Sequence, residues 1–500
     1  MVIAACVVAW LVMRVVFFVG LTGSDDLRYV RYAALWDRAP VNSWEAHTLG
    51  NALTALSMAV FGRGEVASAV PSMVASLATL VCVLYWCFRR GCARYAYWAG
   101  MLVAVLPLDV QMATTVSPHS IMVGFMSVGT LLLVLGSGAR RGRVLAAAAL
   151  SLGFVTHLAG GYYLVALFTA ALCVDHRRYL PTVLLALVAC ALGLLVEMSV
   201  LYATFGEPLA RFHAVLAETA HPAAMVPRLP DGSLNVEFLL WPIRSLFFSK
   251  AFGIALAVVM FVGLLRVQGL DAPDRILVLT TVLFWLWVSV GSVLPWRYVP
   301  FERISQFLQP LTLALAVLFA VVVASRRHWW ASTTGASCVV AICVANLMSS
   351  GTWGQNASVS AELLSYVHAH PHTRFLADYR TANELYILNG VQPVEGVAVL
   401  ADGHTSRLLE PATRVVQPAA AAELVDEILV NTLNVKSSPE FAAFLDRRGG
   451  DVTFKTRPKY RAIAILFRPL MDHSWAVRKP PAIVRACRAL SGDRVAVSRE

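Results

Sequence analysis

The chain has 500 residues, of which 58% are hydrophobic and 14% charged, against about 25% charged in ordinary soluble domains. So much apolar surface excludes a soluble globular fold and points to the bilayer as solvent. The net charge of +11 does not indicate nucleic acid, because the arginines fall in short clusters between apolar runs, as membrane topology requires.

A spanning helix needs about 20 mostly apolar residues. Such runs lie at 2–21, 66–88, 95–115, 119–138, 144–158, 159–175, 180–202, 246–265, 276–294, 304–324 and 332–349, which makes about eleven. The first is long, lacks a small-residue cleavage site and is followed by further spans, so it reads as a retained helix rather than a signal peptide. The fifth and sixth are short. They predict a broken or re-entrant pair around His157-Leu158-Ala159-Gly160-Gly161, whose open backbone needs a protein-lined cavity.

With the N-terminus cytoplasmic, the inside turns carry Arg89-Arg90, Arg140-Arg141-Arg143, Arg177-Arg178, Arg266 with Arg275, and Arg326-Arg327. Every short inside turn then holds at least two arginines, as the positive-inside rule expects. Three long segments fall outside: 22–65, 203–245 and 350–500. The first has amphipathic helical character from Leu27 through Trp36 and from Leu49 through Phe61, suited to the interface plane. The second is broken by Pro208, Pro222, Pro227, Pro230 and Pro242. The third has soluble α/β texture, with strand-like runs at 374–377, 427–430 and 462–467 and helix-like runs at 358–370 and 438–448. The expected fold is a polytopic α-helical membrane protein (residues 1–350) with a C-terminal soluble α/β domain (residues 351–500) on the extracytoplasmic side. Eight of the nine cysteines sit outside the hydrophilic tail, most of them in apolar runs, so no disulfide framework is implied.

The chemistry-bearing residues cluster at one side. Gly23-Ser24-Asp25-Asp26-Leu27-Arg28-Tyr29 follows the first helix and puts two carboxylates at the outer surface. The plain alternative is a helix cap with a favourable dipole. Glu45 and His47 lie in the same loop, Asp109 near the outer end of the third span and His119 at the start of the fourth. An intramembrane ionisable group costs roughly 3 kcal/mol or more, so Asp109 faces a cavity or pairs with an arginine. His157 sits in the short pair, either as a packed buried histidine or as a ligand. Lys250 starts the eighth span, and Arg297 and Arg303 flank the turn before the tenth. These cations suit either interfacial anchoring or an anion clamp for phosphate. Arg14 and Glu197 interrupt helices and read as packing or snorkelling residues.

At these positions residues 1–350 resemble the GT-C glycosyltransferases, in the branch of the protein O-mannosyltransferases and the lipid A aminoarabinose transferase. That branch opens its first outer loop with Asp-Glu, often followed by Arg-Tyr; here the run is Asp25-Asp26-Leu27-Arg28-Tyr29, with Asp26 in place of Glu. Its small-residue helix ends in Gly-Leu-Ala-x-x-Thr-Lys; here Gly153-Phe154-Val155-Thr156-His157 matches, with His157 in place of Lys. Its Arg-Tyr-x-x-Pro turn is matched by Arg297-Tyr298-Val299-Pro300. The family's acidic residue after the third span is His119 here. Its Lys-Pro-Pro-Leu stretch is missing, and His47-Thr48-Leu49-Gly50 stands nearby.

The resemblance implies a membrane glycosyltransferase that moves a sugar from a polyprenyl-phosphate donor to a hydroxyl of a glycan, lipid or protein acceptor at the outer face of a bacterial inner membrane. It implies Asp25 and Asp26 as catalytic carboxylates. It places His47, Asp109, His157 and Tyr29 at donor or acceptor, and Arg297, Arg303 and Lys250 at phosphate. A divalent cation, if used, falls to His119 and Asp26. The acidic and cationic groups are expected to converge in one outward-facing chamber. A transporter or lipid-linked-substrate flippase explains the intramembrane charges as well, but the paired internal repeats of many transporters are not seen. A structural or assembly protein whose tail binds a partner is the third class.

Overall fold

The computed structural model describes residues 1–22, 25–42, 44–89, 93–136, 138–219, 255–290, 305–324, 355–403, 408–410, 413–431, 438–448, 451–456 and 495–499, with a few single positions between them. Two compact units emerge. One comprises Met1–Phe18, Trp36–Thr54 and Ala69–Asn346; the other comprises Val19–Leu35, Ala55–Ser68 and Leu347–Glu500. Two stretches of the first long loop therefore group with the tail.

The chain begins with α1 (Val2–Val16), α2 (Asp25–Leu35), α3 (Thr48–Phe61), α4 (Glu65–Arg89), α5 (Ala93–Val105), α6 (Pro107–Ala113), α7 (Pro118–Gly136), α8 (Arg140–Thr156) and α9 (Gly160–Phe205). After these come α10 (Ala210–Thr219), α11 (Ala255–Arg266), α12 (Ala272–Val290) and α13 (Thr312–Ala324). The two amphipathic stretches expected in the first loop are α2 and α3. Helix α9 is interrupted at Asp175, whose φ of −158° and ψ of 86° leave the helical region. The Asp175 carboxylate accepts the Arg178 N–H at 3.1 Å and so caps the second half. The expected spans at 159–175 and 180–202 are its two halves.

Among the described residues, α4, α7 and α9 are long and apolar enough to cross a membrane, and α5 with α6 makes a fourth, bent by 59°. On the second half of α9, Leu184, Leu187, Val188, Leu192, Leu195 and Val196 are all exposed. Such an apolar face is stable against lipid and not against water. The chain is an integral membrane protein. The last expected span, 332–349, lies outside the described residues apart from a few single positions.

The sharp bend falls in the third expected span, at Pro107. Proline lacks an N–H and clashes with the carbonyl of the fourth residue before it, here Val103. Buried carbonyls so released must find donors. Arg14 of α1 supplies them: its guanidinium donates to Ala104 O at 2.5 Å and to Val103 O at 3.3 Å. The same guanidinium pairs with Asp109 of α6, and Ser76 of α4 donates to that carboxylate at 2.7 Å. An arginine that reads as a snorkelling residue thus fills a proline kink. Close helix approach elsewhere uses glycine: a Cβ on Gly124 of α7 would stand 2.7 Å from Ala75 Cβ of α4.

The second unit contains a six-stranded sheet in the order β3-β2-β1-β4-β6-β5. Its strands are β1 (Phe375–Ala377), β2 (Val397–Leu400), β3 (Val415–Val416), β4 (Glu427–Asn431), β5 (Asp451–Thr456) and β6 (Val495–Arg499). β1 pairs in parallel with β2 and β4, and β2 with β3; β6 runs antiparallel to β4 and β5. Side chains alternate between two apolar layers. Phe375, Ala377, Val399 and Leu429 pack with Val359 and Leu363 of α14 (Gln355–Ala369) and Leu385 of α15 (Tyr379–Leu388). Leu376, Leu400, Ile428 and Val430 pack on the other face with Leu424 of α16 (Ala421–Leu424) and with Phe441 and Phe444 of α17 (Pro439–Arg448). The helix and strand runs expected at 358–370, 374–377, 427–430 and 438–448 are α14, β1, β4 and α17. The strand expected at 462–467 lies outside the described residues.

Candidate functional site

In the membrane unit three histidines from distant stretches of sequence meet. His47 closes the loop before α3, His119 is the second residue of α7, and His157 terminates α8. All are buried, at 7%, 4% and 7% exposure. The His47 and His157 rings stack at a centroid distance of 4.1 Å and 19° between planes. The His119 and His157 rings stand 3.9 Å apart at 37°.

Local structure brings each ring there. Glu45 accepts from Arg38 at 3.0 Å and from the Val41 N–H at 3.0 Å, which folds the loop that presents His47. The Asn51 side chain ties that loop to α3 through Glu45 O at 3.0 Å. Gly50 lets the start of α3 press on Pro118, where a Cβ would stand 3.2 Å from the proline Cβ. Pro118 opens α7, a favoured position for proline, and fixes where His119 leaves the helix. His157 takes extended backbone after α8, with φ −152° and ψ 126°. Its Nδ1 accepts the Ala159 N–H at 3.0 Å, so the ring proton sits on Nε2. Gly160 follows because a Cβ there would come within 2.6 Å of Met126 Cε.

The membrane unit holds a second buried cation that the sequence did not announce. Gly206, in the left-handed region at φ +76°, ends α9, and the chain returns as α10 carrying Arg211. Arg211 is 1% exposed and pairs with Glu197 of α9. Its field reaches both His47 and His157. Burial first, then His119 and Arg211, hold His47 well below the usual imidazole range. Arg211 carried no motif, and its burial follows only from how α9 and α10 turn back.

Of the other expected site residues, Asp109 lies in the helix packing of the membrane unit and three belong to the second unit. Asp109 is engaged by Arg14 and Ser76 within the helix packing, so its carboxylate supports the proline kink. Asp25, Asp26 and Tyr29 belong to α2, in the second unit. Asp25 is half-buried at the first position of α2. Asp26 accepts from Thr22 Oγ1 at 2.7 Å and from the Thr22 N–H, a capping arrangement. Tyr29 is buried. Arg31 of α2 donates to Leu409 O at 2.8 Å, and Leu409 N donates to Asn383 of α15 at 2.8 Å, which holds α2 on the α/β sheet. Lys250, Arg297 and Arg303 lie outside the described residues.

The expected cation ligands, His119 and Asp26, belong to different units. Among the described residues no group of three or more His, Cys, Asp or Glu side chains is placed to hold a metal ion. The histidines meet ring face to ring face, and one His157 nitrogen is already used by the backbone.

A buried polar network lies at the carboxyl ends of β1 and β4. Asp378 caps α15 by accepting the Arg380 and Thr381 N–H groups at 2.9 and 3.0 Å. Glu384 receives the Ser360 hydroxyl, and Asn431 donates to Ser360 at 3.2 Å. Burial pushes the Glu384 carboxyl up to about 8, aided by Asp378 and Asp26 and opposed by its hydrogen bonds.

Residues 47–202, which include all three histidines, match the family described as dolichyl-phosphate-mannose-protein mannosyltransferase. No curated protein matches the chain. The fold is similar to ArnT from Cupriavidus metallidurans in the apo state, with a TM-score of 0.58 at 16% identity over 91% of this chain and 95% of that one. The same protein bound to undecaprenyl phosphate aligns with a TM-score of 0.58 at 14% identity, over the same shares of the two chains. AglB from Archaeoglobus fulgidus, in complex with an inhibitory peptide and a dolichol-phosphate, aligns with a TM-score of 0.50 at 10% identity over 92% of this chain and 73% of that one. The family match covers less than half of the chain, and the likeness to ArnT and AglB is one of fold.

Proposed function

We propose that the protein transfers a sugar from a polyprenyl-phosphate-linked donor to an acceptor hydroxyl at the extracytoplasmic face of a bacterial inner membrane. One observation supports this above others: the segment matching the mannosyltransferase family contains the buried histidine cluster. The neighbours in fold were solved with undecaprenyl phosphate and with dolichol-phosphate, which supports a donor of that class.

The chemistry sets what the residues must do. A phosphate is already a stable anion, so its departure needs no general acid. The acceptor hydroxyl needs a base, and the departing phosphate needs positive charge and hydrogen-bond donors. Asp25, half-buried at the start of α2, is our choice of base. Asp26, committed to Thr22, positions it, and Tyr29 on the same helix contributes to acceptor binding. His47 and His157 contribute polar contacts to donor or acceptor. Arg297, Arg303 and Lys250 remain proposed phosphate contacts. No step is routed through a metal ion, because the described residues do not form a metal set.

The test is transfer by the purified full-length protein in liposomes, with radiolabelled sugar on polyprenyl phosphate and an extract of cell-envelope acceptors. A labelled covalent product together with free polyprenyl phosphate supports the reading. Movement of the labelled lipid across the bilayer without a new glycosidic bond overturns it and favours the flippase class.

A further inference from the structure

Helix α2, which carries Asp25, is tied to α15 through a single residue of the tail. Arg31 Nε donates to Leu409 O at 2.8 Å, and the Leu409 N–H donates to Asn383 Oδ1 at 2.8 Å. Both backbone groups of Leu409 are thus gripped, one by each helix. Arg31 and Asn383 are buried, and α2 packs against α15. Tyr29, Val30, Arg31, Tyr32 and Ala33 are buried in succession, so this turn of α2 is covered on every face. A helix that merely rested on a lipid surface would keep its polar face open.

The flanks of the carboxylate turn are held as well. Glu65 accepts the Leu21 N–H at 3.4 Å, and Gly20, at φ +69°, lies so close that a Cβ would stand 3.0 Å from Glu65 Oε2. Arg63, beside Glu65, donates to Gly390 O at 3.3 Å, just beyond α15. On its other side α15 is anchored to the sheet. Glu384 receives the Ser360 hydroxyl and, at 3.4 Å, the side-chain amide of Asn431 at the end of β4. Successive helix residues point about 100° apart, so Glu384 serves the sheet while Asn383 serves the loop and, through it, α2.

A buried Leu409 N–H needs an acceptor wherever its loop runs, and that need alone gives Asn383 a structural role. The continuation to Arg31 gives it a second one. Asp25 precedes Arg31 on the same helix, roughly 9 Å along its axis. A general base acts only within hydrogen-bond reach of its proton, and a displacement of about 1 Å can cost about 100-fold in rate. We propose that Asn383, acting through Leu409 and Arg31, positions the Asp25 carboxylate for transfer, which makes the α/β unit a working part of the transferase. Asn383 and Arg31 are positioning residues, and the inference rests on the reading of Asp25 as the base.

Two measurements on the full-length protein in liposomes test this: hydrogen exchange of the α2 amides, and single-turnover transfer from radiolabelled sugar on polyprenyl phosphate to the envelope-acceptor extract, counted per bound donor. In Asn383→Ala we expect α2 exchange to quicken about tenfold, as for one lost hydrogen bond, and transfer to fall about 10–100-fold. Donor affinity and melting temperature are expected to stay at wild-type values. Asn383→Asp keeps an acceptor for the Leu409 N–H and is expected to restore both exchange and transfer. A purely structural role would instead lower the melting temperature and leave transfer per bound donor unchanged, which would overturn the inference; so would α2 exchange that is indifferent to Asn383→Ala. If Asn383→Ala does not fold, Leu409→Pro removes the same N–H from the loop side, and the same outcomes decide. A wild type that forms no covalent product removes the transferase reading and, with it, any base to position. A wild type that transfers, beside an Asn383→Ala that transfers equally well, removes this inference alone.

Discussion

The His157 ring lies on the His47 ring at 4.1 Å, 19° from parallel, and its Nδ1 holds the first turn of α9 through the Ala159 N–H. One side chain thus closes a helix junction and faces the loop before α3. Packing and chemistry can be separated by keeping the ring and removing its nitrogens. His157→Phe keeps an aromatic ring but strands the Ala159 N–H, which costs about 1–3 kcal/mol. We expect a modest fall of the melting temperature in detergent and a fall of about 10–100-fold in sugar transfer by the protein that remains folded, the effect of losing one or two hydrogen bonds to a charged ligand. Unchanged turnover in a folded variant would assign His157 to packing alone.

The Arg14–Asp109 pair gives the opposite expectation. Both groups are buried, and Arg14 also serves the carbonyls freed at Pro107. Removing one partner of a buried pair costs about 3–5 kcal/mol, because the other charge is left uncompensated. Asp109→Ala should therefore lower the yield and melting temperature of the folded protein. The Asp109→Ala, Arg14→Met double variant should recover part of the pairing loss, although the Pro107 kink then loses its donors. Equal stability of wild type and Asp109→Ala in a denaturation series would refute the structural role given to Asp109.

Glu384 makes the α/β unit sensitive to pH. Its carboxyl is raised to about 8 from an ordinary value near 4.5. The folded state then binds more protons than the unfolded state between these values, and stability falls as pH rises through that window. Below about 4.5 both states are protonated and the dependence vanishes; above about 8 both are ionised and the loss is complete. A shift of this size corresponds to about 3–5 kcal/mol. Hydrogen exchange of α15 in the full-length protein should quicken, beyond the intrinsic pH effect, between pH 6 and 8, and Glu384→Gln should abolish that excess. A slope unchanged by Glu384→Gln would show that another group carries it.

Much of the membrane architecture was legible because lipid imposes apolar length and arginine placement directly on sequence. The runs around α4, α7 and the two halves of α9 needed no partner to be read. The break read around His157–Gly161 is present, with one helix ending at Thr156 and the next starting at Gly160, whereas the 59° bend at Pro107 was not expected. Arg14 and Arg211 show the other limit. Each is a lone arginine, and whether it snorkels, mends a kink or pairs in the interior depends on residues brought near only by folding. His47, His119 and His157 were each singled out, but their stacking was not foreseeable from spacing. In the α/β unit the apolar strands β1 and β4 were visible, whereas β3, two residues long, carries too little pattern to be seen alone. The attachment of α2 to this unit through Arg31 and Leu409 had no local signal either.

The central claim is that Asp25 removes the acceptor proton as the sugar leaves its lipid phosphate. The most direct measurement is single-turnover release of polyprenyl phosphate from labelled donor by wild type and by Asp25→Asn, with donor affinity measured alongside. Loss of a general base lowers such a rate about 10²–10⁴-fold, and we expect that loss with donor affinity and melting temperature retained. Release at the wild-type rate from Asp25→Asn would contradict the account.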